Sequence, residues 1–324
     1  MNKTIKLSMV TLSLLVFSGC MTPPKVNLDE KQAITNKKTN YSEALRTVDG
    51  MIAIFSKKKK VHIKVNSITD DATNGGKLPI KIDTIVNKSF NKIGNKVVTM
   101  RGYNPKKLPK DIYIINGAIT EFDVTQSDAA SLDGTGQGTY NGNSGEVNGG
   151  LSKGNKVTKL TLTLNPSDPR TGNFVTRSST DNTIIIEQKN SASEFGLSIL
   201  GTGIGINSSI SKAHGLHASI NVLVELSVVE VLGRLVKYPY WLLTGGVTNP
   251  DVLEHLSNKF LQDTLNEKIT KVSYLLALDG SSVQTTSMMN NQLKVAIKKY
   301  KVSHGLGNND IISKKLYMSL LGVK

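Results

Sequence analysis

The sequence predicts an α+β fold: a sheet with helices on one face, two extended β-hairpins, and a small helical C-terminal domain. Three observations predict it. A strand-like alternation at Val61, Ile63 and Val65 is followed by the helical spacing Ile82, Ile85, Val86, Phe90, Ile93, and then by two more β-like stretches. The Gly/Ser-rich stretch from Asn190 to Leu216 carries alternating apolar residues, as an amphipathic hairpin does, and a second glycine-dense stretch lies between Gly134 and Gly154. A long apolar stripe from Ala218 to Tyr238 describes a packed helix, because Glu225, Glu230, Arg234 and Lys237 interrupt it as a membrane span.

The elements follow in order. Lys3 and Lys6 precede an apolar run, Leu7 to Phe17, that is well short of the ~20 residues needed to cross a bilayer. Phe17-Ser18-Gly19-Cys20 then reads as a lipobox, so residues 1–19 are expected to be a signal peptide and Cys20 the lipidated first residue of the mature chain. Lipidation also accounts for a lone cysteine in an exported protein, where a disulfide would need a second one. Acyl chains at Cys20 would give a stable anchor, and the resemblance of this segment to bacterial lipoproteins, with Met21 rather than an acidic residue after the cysteine, implies the outer membrane, periplasmic face. Residues 20–55 are expected to form a tether ending in a short helix with Leu45, Val48, Ile52 and Phe55 on one face.

Residues 56–245 should hold the α+β domain. The basic run Lys57 to Lys60 leads into the first strand, read as a solvated lead-in or as a binding patch. The helix after Ile82 should stop at Gly94, and Lys96 to Met100 and Asp111 to Val124 are further strands. Eight glycines between Gly134 and Gly154 argue against a packed helix there. Leu160, Leu162 and Leu164 then alternate with Lys159, Thr161 and Thr163, up to a turn at Asn165 to Gly172. Phe174 to Ile186 is again β-like. Phe195, Leu197 and Ile199 are expected to pair with Ile204, Ile206 and Ile210 across Gly201-Thr202-Gly203, as a membrane-spanning or a soluble edge hairpin. Residues 250–324 should be helical.

Composition narrows the partners. Of a formal charge of +15, Lys3 and Lys6 carry two, leaving +13 on the mature chain, a surface suited to anionic glycans, lipid headgroups or acidic proteins. No nucleic acid is expected, because no recognition helix, metal finger or aromatic RNA-binding pattern accompanies the charge. His214 and His217 lack nearby Asp, Glu or Cys, and neither a nucleophile elbow, a P-loop nor a dinucleotide fingerprint occurs. No catalytic residue, metal or cofactor is therefore assigned, and an enzyme is not expected.

The order of the strand Val61 to Asp70, the strand Ile114 to Phe122 around Gly117, the strand and turn Thr161 to Gly172, and the long apolar helix resembles the curli secretion channel (CsgG-like) family of outer-membrane lipoproteins. The resemblance covers roughly Val61 to Leu243. It implies a ring of identical subunits, each giving two hairpins to a shared transmembrane barrel, here within about Thr125 to Leu164 and Asn182 to Leu216. It further implies a pore loop at Asp70 to Pro79, where Asn74 is the candidate pore-lining residue, and a secreted substrate or appendage as partner. Passage would be diffusive, for want of a nucleotide site. A polar first hairpin, with Asn141, Asn143, Glu146, Asn148, Lys153 and Lys156, leaves a second reading open: a non-conducting structural ring or collar linking a larger envelope machine to the outer membrane and cell wall. The C-terminus is similar to the small three-helix peptidoglycan-binding domain, through Ala296-Ile297-Lys298-Lys299-Tyr300-Lys301, Gly305-Leu306, Asp310, Leu316 and Leu320. That likeness implies peptidoglycan as a partner and Tyr300, Lys301 and Leu306 as its contacts; the alternative is a basic helical hairpin with no ligand.

Overall fold

Alternating apolar side chains on β-strands and a long, nearly all-apolar helix meet face to face in the computed structural model, which describes residues 40–56, 58, 60–72, 81–126, 137–140, 143–146, 156–188, 195–201 and 216–323. Residues Lys38–Lys324 form one compact unit, and Met1–Lys37 a second that lies outside the described residues. The fold is α+β. Its main sheet holds β1 (Val61–Asp70), β2 (Val97–Thr99), β3 (Ile112–Gln126), β6 (Lys156–Ser167), β7 (Thr180–Gln188) and β8 (Phe195–Gly201), in the order β2-β1-β3-β6-β7-β8. β1 runs parallel to β2 and β3, and β3, β6, β7 and β8 are successively antiparallel. β4 (Gln137–Tyr140) and β5 (Asn143–Glu146) form a separate two-stranded ladder.

Helix α1 (Asn40–Phe55) buries the predicted stripe Leu45, Val48, Ile52 and Phe55. Helix α2 (Ile82–Asn91) packs on β1 and β2, burying Ile82, Val86 and Phe90. The helix ends at Asn91, just before the expected stop, and the chain turns at Gly94, where φ is +137° and a Cβ would meet the Asp49 carboxylate at 2.8 Å, so glycine is required there. Helix α3 (Leu216–Val236) lies over β6 and β7 and against α1 and α2. It meets Leu160, Leu162, Leu164, Ile184 and Ile186, all of them buried. Burying such side chains contributes about 1.5–3 kcal/mol each. At the β3–β6 crossing Gly117 sits so close that a Cβ would lie 2.5 Å from the Thr163 carbonyl oxygen, which explains a glycine inside a strand.

The charges that interrupt α3 are buried with partners. Glu225 pairs with Lys92 and accepts from Ser42 Oγ at 2.9 Å. Glu230 accepts from Asn182 Nδ2 at 2.9 Å and pairs with Arg234 at 2.7 Å. Among the described residues no helix is long and apolar enough to cross a membrane.

Helices α4 (Trp241–Thr244), α5 (Pro250–Gln262), α6 (Leu265–Leu278), α7 (Asn291–Ser303) and α8 (Lys314–Leu320) follow. α5 begins at an Asn249 cap that accepts from Val252 N, and α6 at a Thr264/Glu267 capping box. The boundary expected between residues 245 and 250 falls inside the compact unit. Phe260 stacks on Tyr317 at 4.0 Å, Trp241 Nε1 donates to the Leu321 carbonyl at 2.8 Å, and Lys259 Nζ donates to the Phe55 carbonyl at 2.5 Å. The C-terminal helices thus share a core with α1 and the sheet layer.

One pairing joins segments that the sequence left unassigned to each other. Phe195–Gly201 pairs with Thr180–Gln188, Ile184 opposite Ile199 and Ile186 opposite Leu197; the expected partner segment with Ile204, Ile206 and Ile210 lies outside the described residues. β7 itself starts only at Thr180; Phe174 forms an isolated bridge to Ser167 and is exposed.

Candidate functional site

Three places carry groups beyond what folding needs: the far end of the sheet, the C-terminal helices, and a basic cleft between α3 and α5.

At the far end of the sheet the register aligns Gln126 with Lys156, Lys156 with Gln188, and Gln188 with Phe195. The pairs β3/β6 and β7/β8 therefore end level with one another at the same end, side by side. One face of this ribbon is apolar where it meets α3, and the other is polar and cross-bonded. Thr161 Oγ1 donates to Glu121 at 2.7 Å, Glu121 pairs with Lys159 at 2.6 Å, and Thr163 Oγ1 donates to Asp181 at 2.6 Å. Desolvation works against charge on Glu121, but the hydrogen bonds from Lys159 and Thr161 outweigh it and hold the carboxyl below its usual value. Toward the end the apolar face opens, and Val124 is 47% exposed.

The C-terminal candidates fall together, but mostly inward. Tyr300 is 7% exposed, its ring stacked on His304 at 3.9 Å and its hydroxyl 3.2 Å from Ser319 Oγ. Lys301 is 3% exposed, and its ammonium donates to Asn309 Oδ1 and to the Ile311 carbonyl, each at 2.6 Å. Burial pushes its pKa down. Leu306 is half-buried against the core. These three residues knit α7 to the loop before α8 and do not make an open binding face. The open face of α7 carries Lys294, Lys298 and Lys299 with Val295 and Val302. Cys20 and Asn74 both lie outside the described residues.

The cleft between α3 and α5 was not singled out by sequence reasoning. It has a volume of about 450 Å³ and is walled by Phe55, Leu235 and Val236, with Lys58, Lys237 and Lys259 as its cations. A second, shallower cleft continues from it through Lys237 and His255 to Arg177, Asp251 and Glu254. Lys58 pairs with Asp111 at 2.5 Å and donates to Tyr113 Oη at 2.7 Å. Desolvation lowers its pKa, yet these bonds prevail and the net direction is up. Lys237 is pushed down, first by burial and then by Arg234 and Arg177, against the pull of Asp251. Its backbone is left-handed, with φ 62°, at the point where Tyr238 N closes onto the Gly233 carbonyl to end α3. A residue other than glycine there costs about 1–3 kcal/mol. Arg177, with φ 59°, is the other non-glycine residue in this region among those described, and it too lines the cleft system, paired with Asp251 at 2.5 Å.

Among the described residues no three His, Cys, Asp or Glu side chains gather as a metal site. The class defined so far is an α+β protein with a mixed sheet whose two strand pairs end level with one another at one end. No protein-family model and no curated protein matches the chain. Solved structures similar to it include the hypothetical protein CT253 from Chlamydia trachomatis, at 9% identity and a TM-score of 0.31, covering 55% of this chain and 97% of that one. A PelC dodecamer from Paraburkholderia phytofirmans matches at 14% identity and TM-score 0.24, covering 56% and 91%. A putative neuraminyllactose-binding hemagglutinin homolog from Helicobacter pylori matches at 13% identity and TM-score 0.24, covering 64% and 92%. Likenesses this distant carry no functional argument.

Proposed function

We propose that the protein is a lipid-anchored, ring-forming outer-membrane component of a secretion or appendage-assembly system, acting as a diffusive protein-export channel. The observation that carries this reading is the shared register Gln126–Lys156–Gln188–Phe195, which ends two neighbouring strand pairs level with one another at one end of the sheet. Copies placed side by side could each contribute those strands to a common barrel, the form in which strands cross a bilayer without an unpaired edge. Cys20 would hold each copy at the membrane, and the exposed Lys294, Lys298 and Lys299, rather than the interior Tyr300 and Lys301, would face the acidic stems of peptidoglycan. Detergent extraction of the full mature chain followed by electron microscopy tests the ring; monomers in every detergent would overturn it. Unchanged processing and outer-membrane fractionation of Cys20→Ser would remove the anchor from the reading.

The polar ladder of β4 and β5, Gln-Gly-Thr-Tyr against Asn-Ser-Gly-Glu, favours a second reading: a ring or collar that stiffens an envelope machine without a pore of its own. Polar and charged groups facing lipid are costly near the midplane. Conductance in planar bilayers separates the two, since reproducible channels belong to a pore and stable silent rings to a collar.

A further inference from the structure

The basic run Lys57 to Lys60, which has no part in the reading above, delivers Lys58 to the cleft between α3 and α5. Lys237 arrives there from the end of α3 and Lys259 from the last turn of α5, so three distant parts of the chain converge on one concavity. No carboxylate lines this part of the cleft; Asp251 and Glu254 belong to the shallower continuation, where Arg177 engages Asp251. The three ammonium groups are not equivalent. Lys58 is committed to Asp111 and Tyr113, and Lys259 donates to the Phe55 carbonyl. Lys237 has no hydrogen-bond or ion-pair partner among the described residues, and it occupies a left-handed position that glycine would fill without strain. Folding alone does not call for an ammonium there.

We infer that this cleft binds a phosphate-bearing anion, with Lys237 as its direct ligand, Lys58 and Lys259 supplying the surrounding positive field, and Phe55, Leu235 and Val236 receiving whatever apolar part the anion carries. Lysine holds phosphate as a point charge, and Lys237 and Lys259 around one space, beside the Lys58–Asp111 pair, suit a multivalent anion better than a single carboxylate. The anion is either free in solution or the headgroup of an anionic lipid, and the test separates these sources.

The full mature chain in neutral detergent is titrated calorimetrically with inorganic phosphate and with dihexanoyl-phosphatidylglycerol, using dihexanoyl-phosphatidylcholine as the zwitterionic control. Saturable binding of phosphate, or of phosphatidylglycerol well above phosphatidylcholine, is expected; the first identifies a free anion and the second a headgroup. Lys237→Gly should weaken that binding about tenfold or more while the chain stays folded, since glycine suits the backbone. Lys106→Ala removes an exposed lysine elsewhere and should leave it unchanged. The inference fails if neither probe binds, if phosphatidylcholine binds as well as phosphatidylglycerol while phosphate does not bind, or if Lys237→Gly binds like the parent.

Discussion

Lys237 and Lys301 stand in similar sequence settings, each beside a tyrosine near the end of a helix, and the fold treats them in opposite ways. Lys301 is still helical, and the loop running to α8 wraps over it, so its ammonium is saturated by an amide oxygen and a backbone carbonyl. Lys237 is the residue at which α3 ends; the chain departs in a left-handed conformation and returns Asp251 only to the adjoining cleft, as a charge without a hydrogen bond to the ammonium. A cation next to an aromatic thus indicates neither a surface nor a ligand site. What decides is whether the following segment returns oxygen atoms to it.

Lys271 marks the extreme of the saturated kind, 3% exposed and paired with the equally buried Asp263. Lys271→Met strands that carboxylate and should cost about 3–5 kcal/mol in urea unfolding. Combining it with Asp263→Leu should recover most of the loss, and a double variant as unstable as the single one would show that the pair contributes more than mutual neutralisation. Next in size, Lys301→Met should destabilise by about 1.5–3 kcal/mol, because the Ile311 carbonyl loses a charged donor. If the fold is unaffected by that change, the contrast with Lys237 collapses. In the other direction, Lys237→Gly relieves the left-handed strain and should raise stability by about 1 kcal/mol, visible as a higher thermal midpoint.

The smallest effect concerns pH. Burial, then Lys259, Lys237 and Lys271, hold the His255 pKa below its ordinary 6.5. The folded value therefore lies below the unfolded one, so stability is full above about pH 6.5 and declines as pH falls toward the folded pKa. Unfolding measured at about pH 7.5 and about pH 5.5 should show this decline, and His255→Gln should reduce it. An identical decline in parent and variant would place the titrating group elsewhere.

The parts of the fold that were legible in the sequence are those with a single apolar face and a single period: Leu45 to Phe55, Val61 to Val65, Ile82 to Phe90, Leu160 to Leu164 and the body of α3. The pairing of β8 with β7 was not legible, because Phe195, Leu197 and Ile199 alternate in the same way whichever strand lies beside them, so that long-range packing decides. For the same reason the inward turn of Tyr300 and Lys301 was hidden. It depends on Asn309 and Ile311, which reach back from the loop, and on Ser319 in α8. The cleft was harder still, since the spacing between Lys58, Lys237 and Lys259 follows no local pattern.

The shared register of β3, β6, β7 and β8 also has a mechanical consequence. A pull on the far end of the sheet, directed along the strands and away from α3, acts at right angles to the interstrand hydrogen bonds. Such a load shears the ladder and is spread over all its rungs at once, from Gln126 to Ile114 between β3 and β6 and from Gln188 to Asn182 between β7 and β8. A sideways pull would instead peel the rungs off singly, beginning at the β8 edge. The sheet is accordingly stiffest against tension along its strands, and weakest against tearing from one side.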